Sequence, residues 1–323
     1  MMGNTTITHA GAFVFSPAGK KFSLFVLMLV DLKLAPRYDG FLYLAESARN
    51  PPTLKTHHHA ELELNLVVRG AISYVVGGRR FTFERRTLLW LFPAQEHQLI
   101  DRSPDAQVYV AVFKPALMAR SCRSKLYADL RRKTTDTDGV LHTLVSPEIF
   151  DLVRKTMDAL MVGAPDPDLL NREAGYGLSG DFRFEHRDPD GLNAGLHHLL
   201  LLCWRQHGDR PDQSGAVKLH PAVRKALELL SGSDEAGELP AIARRCGAST
   251  EHLSRLFGLQ VGVSMVQYRN SLRLGRFLEL HRSESEKTLA EKVFAAGFGS
   301  YAQFHRVFTR AYGQGPRDCL KGK

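Results

Sequence analysis

Two arginines in the last third of the chain, Arg255 and Arg306, have side chains that could read DNA. A guanidinium group can clamp guanine through two acceptors in the major groove, whereas Ser and His read bases less specifically. Other candidates flank each arginine at positions that a helix would expose. The full set of expected DNA contacts is Thr250, Glu251, Ser254, Arg255, Ser300, Tyr301, Ala302, His305 and Arg306. The alternative for both arginines is an internal role, paired with glutamate or covering apolar surface.

Short helices must position these side chains. Leu239, Ile242, Ala243 and Cys246 fall at i, i+3, i+4 and i+7, which is one face of a helix. Gly247 ends that helix, and Ser249 is a good N-cap for the next. Two short helices joined by a turn that contains glycine predict a helix-turn-helix unit.

The same pattern occurs a second time, about 51 residues later. Five positions match in register, which indicates an internal duplication. The matched pairs are Ser249 with Ser300, Leu253 with Phe304, Arg255 with Arg306, Phe257 with Phe308, and Gly262 with Gly313. A helix from about Ser264 to His281 is predicted to join the two units. Its length of roughly 27 Å would set two recognition helices about one DNA turn apart.

The charge distribution fits an anionic partner for this part of the chain. The 323 residues carry a net charge of +9. Residues 1–216 contribute 26 basic and 24 acidic side chains, whereas residues 217–323 contribute 17 and 10. The excess therefore lies in the helical third, although a solvated basic face would look the same.

Most of the chain before it has a different pattern. Short β-like runs divided by turn signals extend from about Phe41 to Phe113, which favours an antiparallel barrel or sandwich. Helical spacing follows near 149–162 and 193–207. We expect an α+β multidomain chain with residues 1–40 as an arm or strand, 41–207 as a barrel with flanking helices, 208–217 as a linker, and 218–323 as an all-α domain.

Residues 218–321 resemble the DNA-binding domain of the AraC/XylS family. The similarity is carried by Leu253-Ser254-Arg255-Leu256-Phe257 in the first unit and by the specific run AGFGSYAQFHRVFTRAYGQGP, which starts at Ala296, in the second. Phe277 departs from the pattern, because the linker helix of this family usually has Ala there. The resemblance implies a double helix-turn-helix that binds operator DNA.

The N-terminal half resembles a cupin barrel. His57-x-His59-x3-Glu63-x6-Gly70 matches the first cupin motif, and Pro93-x3-His97 is close to the second, with Gln95 where Gly is usual. In metal-binding cupins the corresponding His57, His59, Glu63 and His97 would chelate a divalent ion, and such ligands suit Fe, Mn, Ni, Cu or Zn. Regulators of this family, however, usually bind a small organic effector there, often without metal. No cofactor is certain from the sequence.

The resemblance implies a transcription regulator, not an enzyme, with operator DNA and a small effector (or metal) as partners. It also implies a homodimer, and contact with RNA polymerase if the protein is an activator. One alternative is a metal-dependent cupin enzyme with an accessory helical domain. Another is an architectural DNA binder without sequence preference, whose binding would be removed by salt.

Cysteine usage and hydropathy predict the compartment. Cys122, Cys203, Cys246 and Cys319 form no CxxC pair, which favours a reducing cytoplasm. The apolar run from Phe22 to Val30 is about half the length that a bilayer requires. We expect a buried strand there and no membrane association.

Overall fold

The computed structural model describes residues 28–29, 34–46, 57–131, 139–164, 184–207, 217–232, 237–283, 286–312 and 315–320. The predicted arm before Met28, most of the predicted linker and Cys319 lie outside the described residues or have side chains that are not described. The fold class expected from the sequence is confirmed: an N-terminal half rich in antiparallel strands precedes a helical C-terminal half.

Two facing sheets form the N-terminal half. The strands are β1 (Met28–Leu29), β2 (Gly40–Glu46), β3 (His57–His58), β4 (Leu62–Arg69), β5 (Ala71–Val76), β6 (Arg79–Glu84), β7 (Thr87–Leu91), β8 (His97–Arg102), β9 (Gln107–Phe113), β10 (Leu141–Leu144) and β11 (Val217–Lys218). One sheet has the order β1-β3-β8-β5-β6-β11 and the other β10-β7-β4-β9-β2. All described pairings are antiparallel except that of β1 with β3.

The β5–β6 hairpin shows how local sequence sets this geometry. Gly77 and Gly78 have φ angles of 56° and 71°, which glycine adopts without steric cost. These values suit a tight turn whose twist matches the two strands, as the Gly-Gly pair predicts. Arg79 therefore lies opposite Val76 at the first pair of the ladder.

Helices cover one side of the sandwich. These are α1 (Pro115–Ser121), a 3-10 helix (Lys125–Arg131), α2 (Pro147–Met161) and α3 (Pro189–Trp204). Leu196, Leu199 and Leu200 of α3 are fully buried in a core shared with the strands. Trp90 of β7 packs edge-on against Trp204 at 5.4 Å between ring centroids, which fixes α3 on the sheet.

Seven helices form the described C-terminal half. They are α4 (Pro221–Gly232), α5 (Leu239–Arg245), α6 (Thr250–Val261), α7 (Met265–Ser283), α8 (Leu289–Ala295), α9 (Tyr301–Tyr312) and α10 (Pro316–Leu320). They enclose two separate cores. Tyr268 of α7 lies in the first core with α4, α5 and α6, whereas Phe277 of α7 lies in the second with α8 and α9.

Phe277, the departure from the family pattern, fills the second core. Its side chain is fully buried, and its ring lies 4.3 Å from that of Phe304 and 6.3 Å from that of Phe308. A larger residue at this place therefore packs within the second helix-turn-helix unit.

The β-like runs predicted between Phe41 and Phe113 correspond to β2, β4, β5, β6, β7 and β9, but β3, β8, β10 and β11 were not predicted. The sequence of β8, HQLIDR, lacks the alternation of apolar and polar residues that marks a half-buried strand. Its first four residues are all buried, because other parts of the protein cover both faces of the strand. None of the described helices is long and apolar enough to cross a membrane.

Candidate functional site

Three imidazole side chains converge at one end of the sandwich. His57 lies on β3 directly opposite His97, the first residue of β8, and His59 follows β3. Each residue offers a ring nitrogen, and these three atoms lie within 4.8 Å of one another. We call His57, His59 and His97 the histidine cluster. His59 and His97 are only 4% and 2% exposed, and His57 is half-buried.

Backbone carbonyls fix how two of these rings present their nitrogens. Nδ1 of His59 lies 3.0 Å from the carbonyl oxygen of Glu61, and Nδ1 of His97 lies 2.9 Å from that of Gln95. A carbonyl oxygen can only accept, so each Nδ1 carries the hydrogen. The lone pair of the neutral ring is therefore on Nε2. Such a bond from the remote ring nitrogen is typical of histidines that ligate metals.

Glu63 brings a carboxylate to the cluster from the opposite sheet. Its Oε2 lies 3.0 Å from Nε2 of His59, and its Oε1 accepts a hydrogen bond of 2.7 Å from Nδ2 of Asn65. Since Nδ1 of His59 already carries a hydrogen, a neutral His59 would point its Nε2 lone pair at a carboxylate oxygen. That contact requires a proton between the two atoms or a cation beside them.

The pKa values of Glu63 and His59 reflect the same contact between the two side chains. Burial raises the pKa of Glu63, but the hydrogen bond with His59 and the nearby histidines outweigh burial and bring it down to about 2. Burial lowers the pKa of His59, yet the hydrogen bond and charge of Glu63 outweigh burial and raise it above its ordinary value. Burial lowers the pKa of His97 to about 3, helped by His57. The site therefore holds a buried carboxylate and at least one neutral imidazole.

The turn between β7 and β8 places His97 next to His59. Ala94 adopts a φ of 59° and donates its backbone N–H to the carbonyl of His59 at 3.0 Å. The side chain of Gln95 accepts from the backbone N–H of Phe92 and donates to the carbonyl of Gly139. Gln95, which replaces the usual Gly of the second cupin motif, thus braces the turn and leaves the ring positions intact.

The donor set fits a divalent transition metal. Three imidazoles and a carboxylate suit Fe, Mn, Ni, Cu or Zn, whereas Mg and Ca prefer oxygen ligands. A bound cation would also relieve the contact between the Nε2 lone pair of His59 and the Glu63 carboxylate. The sequence analysis did not single out Asn65; its place two residues after Glu63, on the same face of β4, was the available signal.

The first helix-turn-helix consists of α5, a turn and α6. Gly247 in the turn has a φ of 70°, and the Ser249 side chain accepts from the backbone N–H of His252 to cap α6. Leu253, Phe257 and Val261 form the buried face of α6. Its exposed face carries Glu251, His252, Arg255 and Leu259.

The second unit, α8 and α9, repeats this arrangement. Gly297 has a φ of 91°, and the Ser300 side chain accepts from the backbone N–H of Gln303 at 3.1 Å. Phe304 and Phe308 are buried, and Ala302, His305, Arg306 and Arg310 are exposed. A capping box between Thr288 and Glu291 begins α8.

Most predicted DNA-reading residues are accessible, to different degrees. Glu251, Arg255, Ser300, Ala302, His305 and Arg306 are exposed, and Thr250, Ser254 and Tyr301 are half-buried. Ser254 lies beneath the surface, with its Oγ 4.0 Å from the sulfur of Met265. His252 is exposed on the same helix as Glu251 and Arg255 and was not among the predicted residues. Neither Arg255 nor Arg306 forms an ion pair within the described part of the chain.

Both halves of the chain match known protein families. Residues 41–178 match the AraC-like ligand binding domain and residues 242–322 match a helix-turn-helix domain. The uncharacterized HTH-type transcriptional regulator YfiF of Bacillus subtilis (strain 168) is 25% identical over 264 residues, which cover 80% of this chain and 76% of YfiF. The HTH-type transcriptional regulator GlxA of Rhizobium meliloti (strain 1021) is 33% identical over 112 residues, 34% of each chain.

Solved structures similar to this chain include unsaturated fatty acid bound wild-type ToxT from Vibrio cholerae strain SCE256. It is 13% identical, covers 87% of this chain and 94% of that chain, and superposes with a TM-score of 0.32. The matched families and the two sequence relatives are regulators, so the alternative prediction of a metal-dependent cupin enzyme is not favoured.

Proposed function

We propose that the chain is a transcription regulator of the AraC type, because an AraC-like ligand binding domain matches residues 41–178 and a helix-turn-helix domain matches residues 242–322. We propose further that a divalent metal ion at the histidine cluster is part of its signal. The observation that carries this proposal is the convergence of three imidazole nitrogens within 4.8 Å, next to a buried carboxylate. His57, His59 and His97 would hold the ion, with Glu63 as the neighbouring carboxylate. The ion would supply positive charge and coordination sites in a buried place.

The helical half is the part of the protein that would bind DNA. We propose that the exposed residues of α6 and α9 contact DNA, with Arg255 and Arg306 reading guanine and the others contacting bases or phosphates. Helix α7 has 19 residues and therefore a length of about 28 Å. That length, together with one core at each end of the helix, supports two recognition helices in successive major grooves on one face of the duplex.

The remaining assignments follow from the type of protein and from the pattern of elements. We propose a sensor domain at 41–207, a linker at 208–217 and a DNA-binding domain at 218–323. We also propose a homodimer in the cytoplasm, which would contact RNA polymerase if it activates transcription. The exposed Leu152 on α2, 48% accessible, is consistent with a dimer contact on that helix.

Metal content tests the proposal directly. Protein purified without a His tag is expected to contain about one equivalent of one transition metal by mass spectrometry, because the cluster offers three imidazole side chains beside the buried carboxylate of Glu63. His97→Ala should lose this metal, since it removes a fully buried donor. The matched control is His198→Ala, which removes an exposed histidine of α3 and should leave the metal content unchanged.

Absence of stoichiometric metal, or equal metal in both histidine variants, would contradict the metal proposal. His57, His59, Glu63 and His97 would then remain as contacts for an organic effector. In that case, organic compounds that raise the melting temperature of the protein would be sought instead.

A further inference from the structure

Strand β8 is buried on both faces, and each face serves a different half of the protein. His97 points into the sandwich, where it belongs to the histidine cluster, and Leu99 belongs to the N-terminal core. Ile100 is 1% exposed and lies in the first core of the helical half. Because successive side chains of a strand point to opposite faces, His97 and Gln98 lie back to back.

A buried polar network holds Gln98 against the helical half. Nε2 of Gln98 donates to the hydroxyl of Tyr268 and lies 3.4 Å from Oγ of Ser231, and the Ser231 and Tyr268 hydroxyls are 3.1 Å apart. Gln98 is 2% exposed and Tyr268 is fully buried. A buried amide that loses its partner cannot recover it from water. The network therefore specifies one position of the helical half on β8.

Tyr268 connects this contact to the recognition helix. It lies in the first turn of α7, and its ring packs edge-on against that of Phe257 at 5.5 Å between centroids. Phe257 is on the buried face of α6, opposite the exposed Arg255. The side chains of Gln98, Tyr268 and Phe257 thus form a continuous path from the strand of the histidine cluster to the DNA-facing helix.

Other contacts lie on the same surface of the sandwich. The backbone N–H of Leu219 donates to the carbonyl of Gly78 at 3.1 Å, and β11 pairs with β6. The guanidinium of Arg80 lies so close to Gly262, at the end of α6, that a Cβ on this glycine would be 2.9 Å from it. A cation at the C-terminus of a helix is electrostatically favourable. The helical half is therefore docked on the outer face of β5, β6 and β8.

We propose that Gln98 is a positioning residue through which the histidine cluster and the first helix-turn-helix unit are coupled, with the docked arrangement holding His97 in place for metal. This inference rests on the metal site proposed above. Coupling between two sites is reciprocal, so a change at Tyr268 must alter metal affinity if metal alters the docking. A ligand shifts such an equilibrium only by its different affinity for the docked and undocked arrangements.

The experiment measures Zn²⁺ affinity of the full-length protein by titration calorimetry, after removal of bound metal. Tyr268→Phe removes only the hydroxyl that meets Gln98 and leaves every cluster residue in place. We expect Zn²⁺ to bind several-fold more weakly to this variant, because the buried Gln98 amide loses a partner in the docked arrangement. The matched control is Tyr312→Phe, which removes a hydroxyl from the second helix-turn-helix unit and should bind Zn²⁺ like the wild type.

The outcomes separate this inference from the proposed function. Weaker Zn²⁺ binding by Tyr268→Phe, together with wild-type Zn²⁺ binding by Tyr312→Phe, supports the coupling. Equal or tighter binding by Tyr268→Phe, in a wild type that binds one Zn²⁺, overturns the coupling and leaves the metal site intact. A wild type that binds no Zn²⁺ overturns the metal site, and this inference with it. Near-ultraviolet circular dichroism of both variants checks that each retains its packing.

Discussion

Arg306 illustrates how a single side chain can be available for base reading. It lies on the exposed face of α9, one position before Val307 and two before the buried Phe308, which anchors the helix. Because Phe304 and Phe308 fix the rotation of α9 on its core, the side of the helix from which Arg306 projects is fixed as well. A guanidinium that projects from this exposed side can form two parallel hydrogen bonds to guanine.

We therefore expect Arg306→Ala to weaken binding to a specific site by about 1–3 kcal/mol and to relax preference at one base pair. The site is first selected from random duplexes with the wild-type protein, and binding is followed by fluorescence anisotropy. Arg123→Ala is the charge-matched control, since Arg123 is exposed in the N-terminal half. Equal losses on selected and random DNA would show instead that Arg306 contacts only phosphate.

At the scale of single residues, the sequence shows which side chains could form the site, but it does not show which contacts hold them in place. The spacing of His57, His59 and Glu63 could be read directly, because the motif lies within seven consecutive residues. The bracing role of Gln95 could not be read, since its side chain binds Gly139, 44 residues away. The bond of Asn65 to Glu63 depends on the two residues sharing one face of β4, which a strand prediction alone suggests but does not establish.

Two glycines show how the elements around the recognition helices obtain their geometry. A Cβ added to Gly247 or to Gly275 would meet nothing within 4 Å, so neither substitution creates a clash. Gly247 nevertheless has a φ of 70° in the turn of the first unit, whereas Gly275 lies within helix α7. The two positions therefore differ in backbone conformation but not in the space available for an added side chain.

Alanine at these two positions should change stability in opposite directions. Gly247→Ala is expected to lower the free energy of unfolding by about 1 kcal/mol, because a left-handed conformation is unfavourable for alanine. Gly275→Ala is expected to raise it by about 0.5–1 kcal/mol, because alanine favours helix. Urea denaturation followed by circular dichroism measures both. The same sign for the two variants would contradict this account.

Strand β8 marks the limit of prediction at the scale of elements. Alternation reveals a strand only where one face meets solvent, and β8 has the sandwich core on one face and the helical half on the other. Its buried polar residues, His97 and Gln98, further conceal it. Helices such as α2 and α6 were easier to predict, since each has one buried stripe and one exposed stripe.

The two halves of the molecule are unequal in their dependence on each other. The second core is built from α7 to α10, while the first is completed by Ile100 from the strand domain. No periodicity predicts the contact between Gln98 and Tyr268, which are 170 residues apart. Domain order was therefore predictable from the sequence, but the docking surface was not.

The fragment 218–323 is expected to bind the selected DNA, because it contains both recognition helices. Its binding should not respond to Zn²⁺, since the histidine cluster is absent from it. Its melting temperature should fall below that of full-length protein, because the first core loses Ile100. Anisotropy titrations with and without Zn²⁺, on fragment and full chain, measure the difference. A fragment whose DNA affinity still changes with Zn²⁺ would place a metal site outside the sandwich.

Helix α7 belongs to both helical cores, with Met265 and Tyr268 in one and Leu274, Phe277 and Leu278 in the other. One residue inserted between these two sets would turn the second unit by about 100° relative to the first and advance it by about 1.5 Å. In the proposed mode of binding, the second recognition helix would then face away from the major groove that follows the one occupied by the first helix. The length of α7 and the spacing of the two half-sites in the regulatory DNA can therefore change over evolutionary time only together.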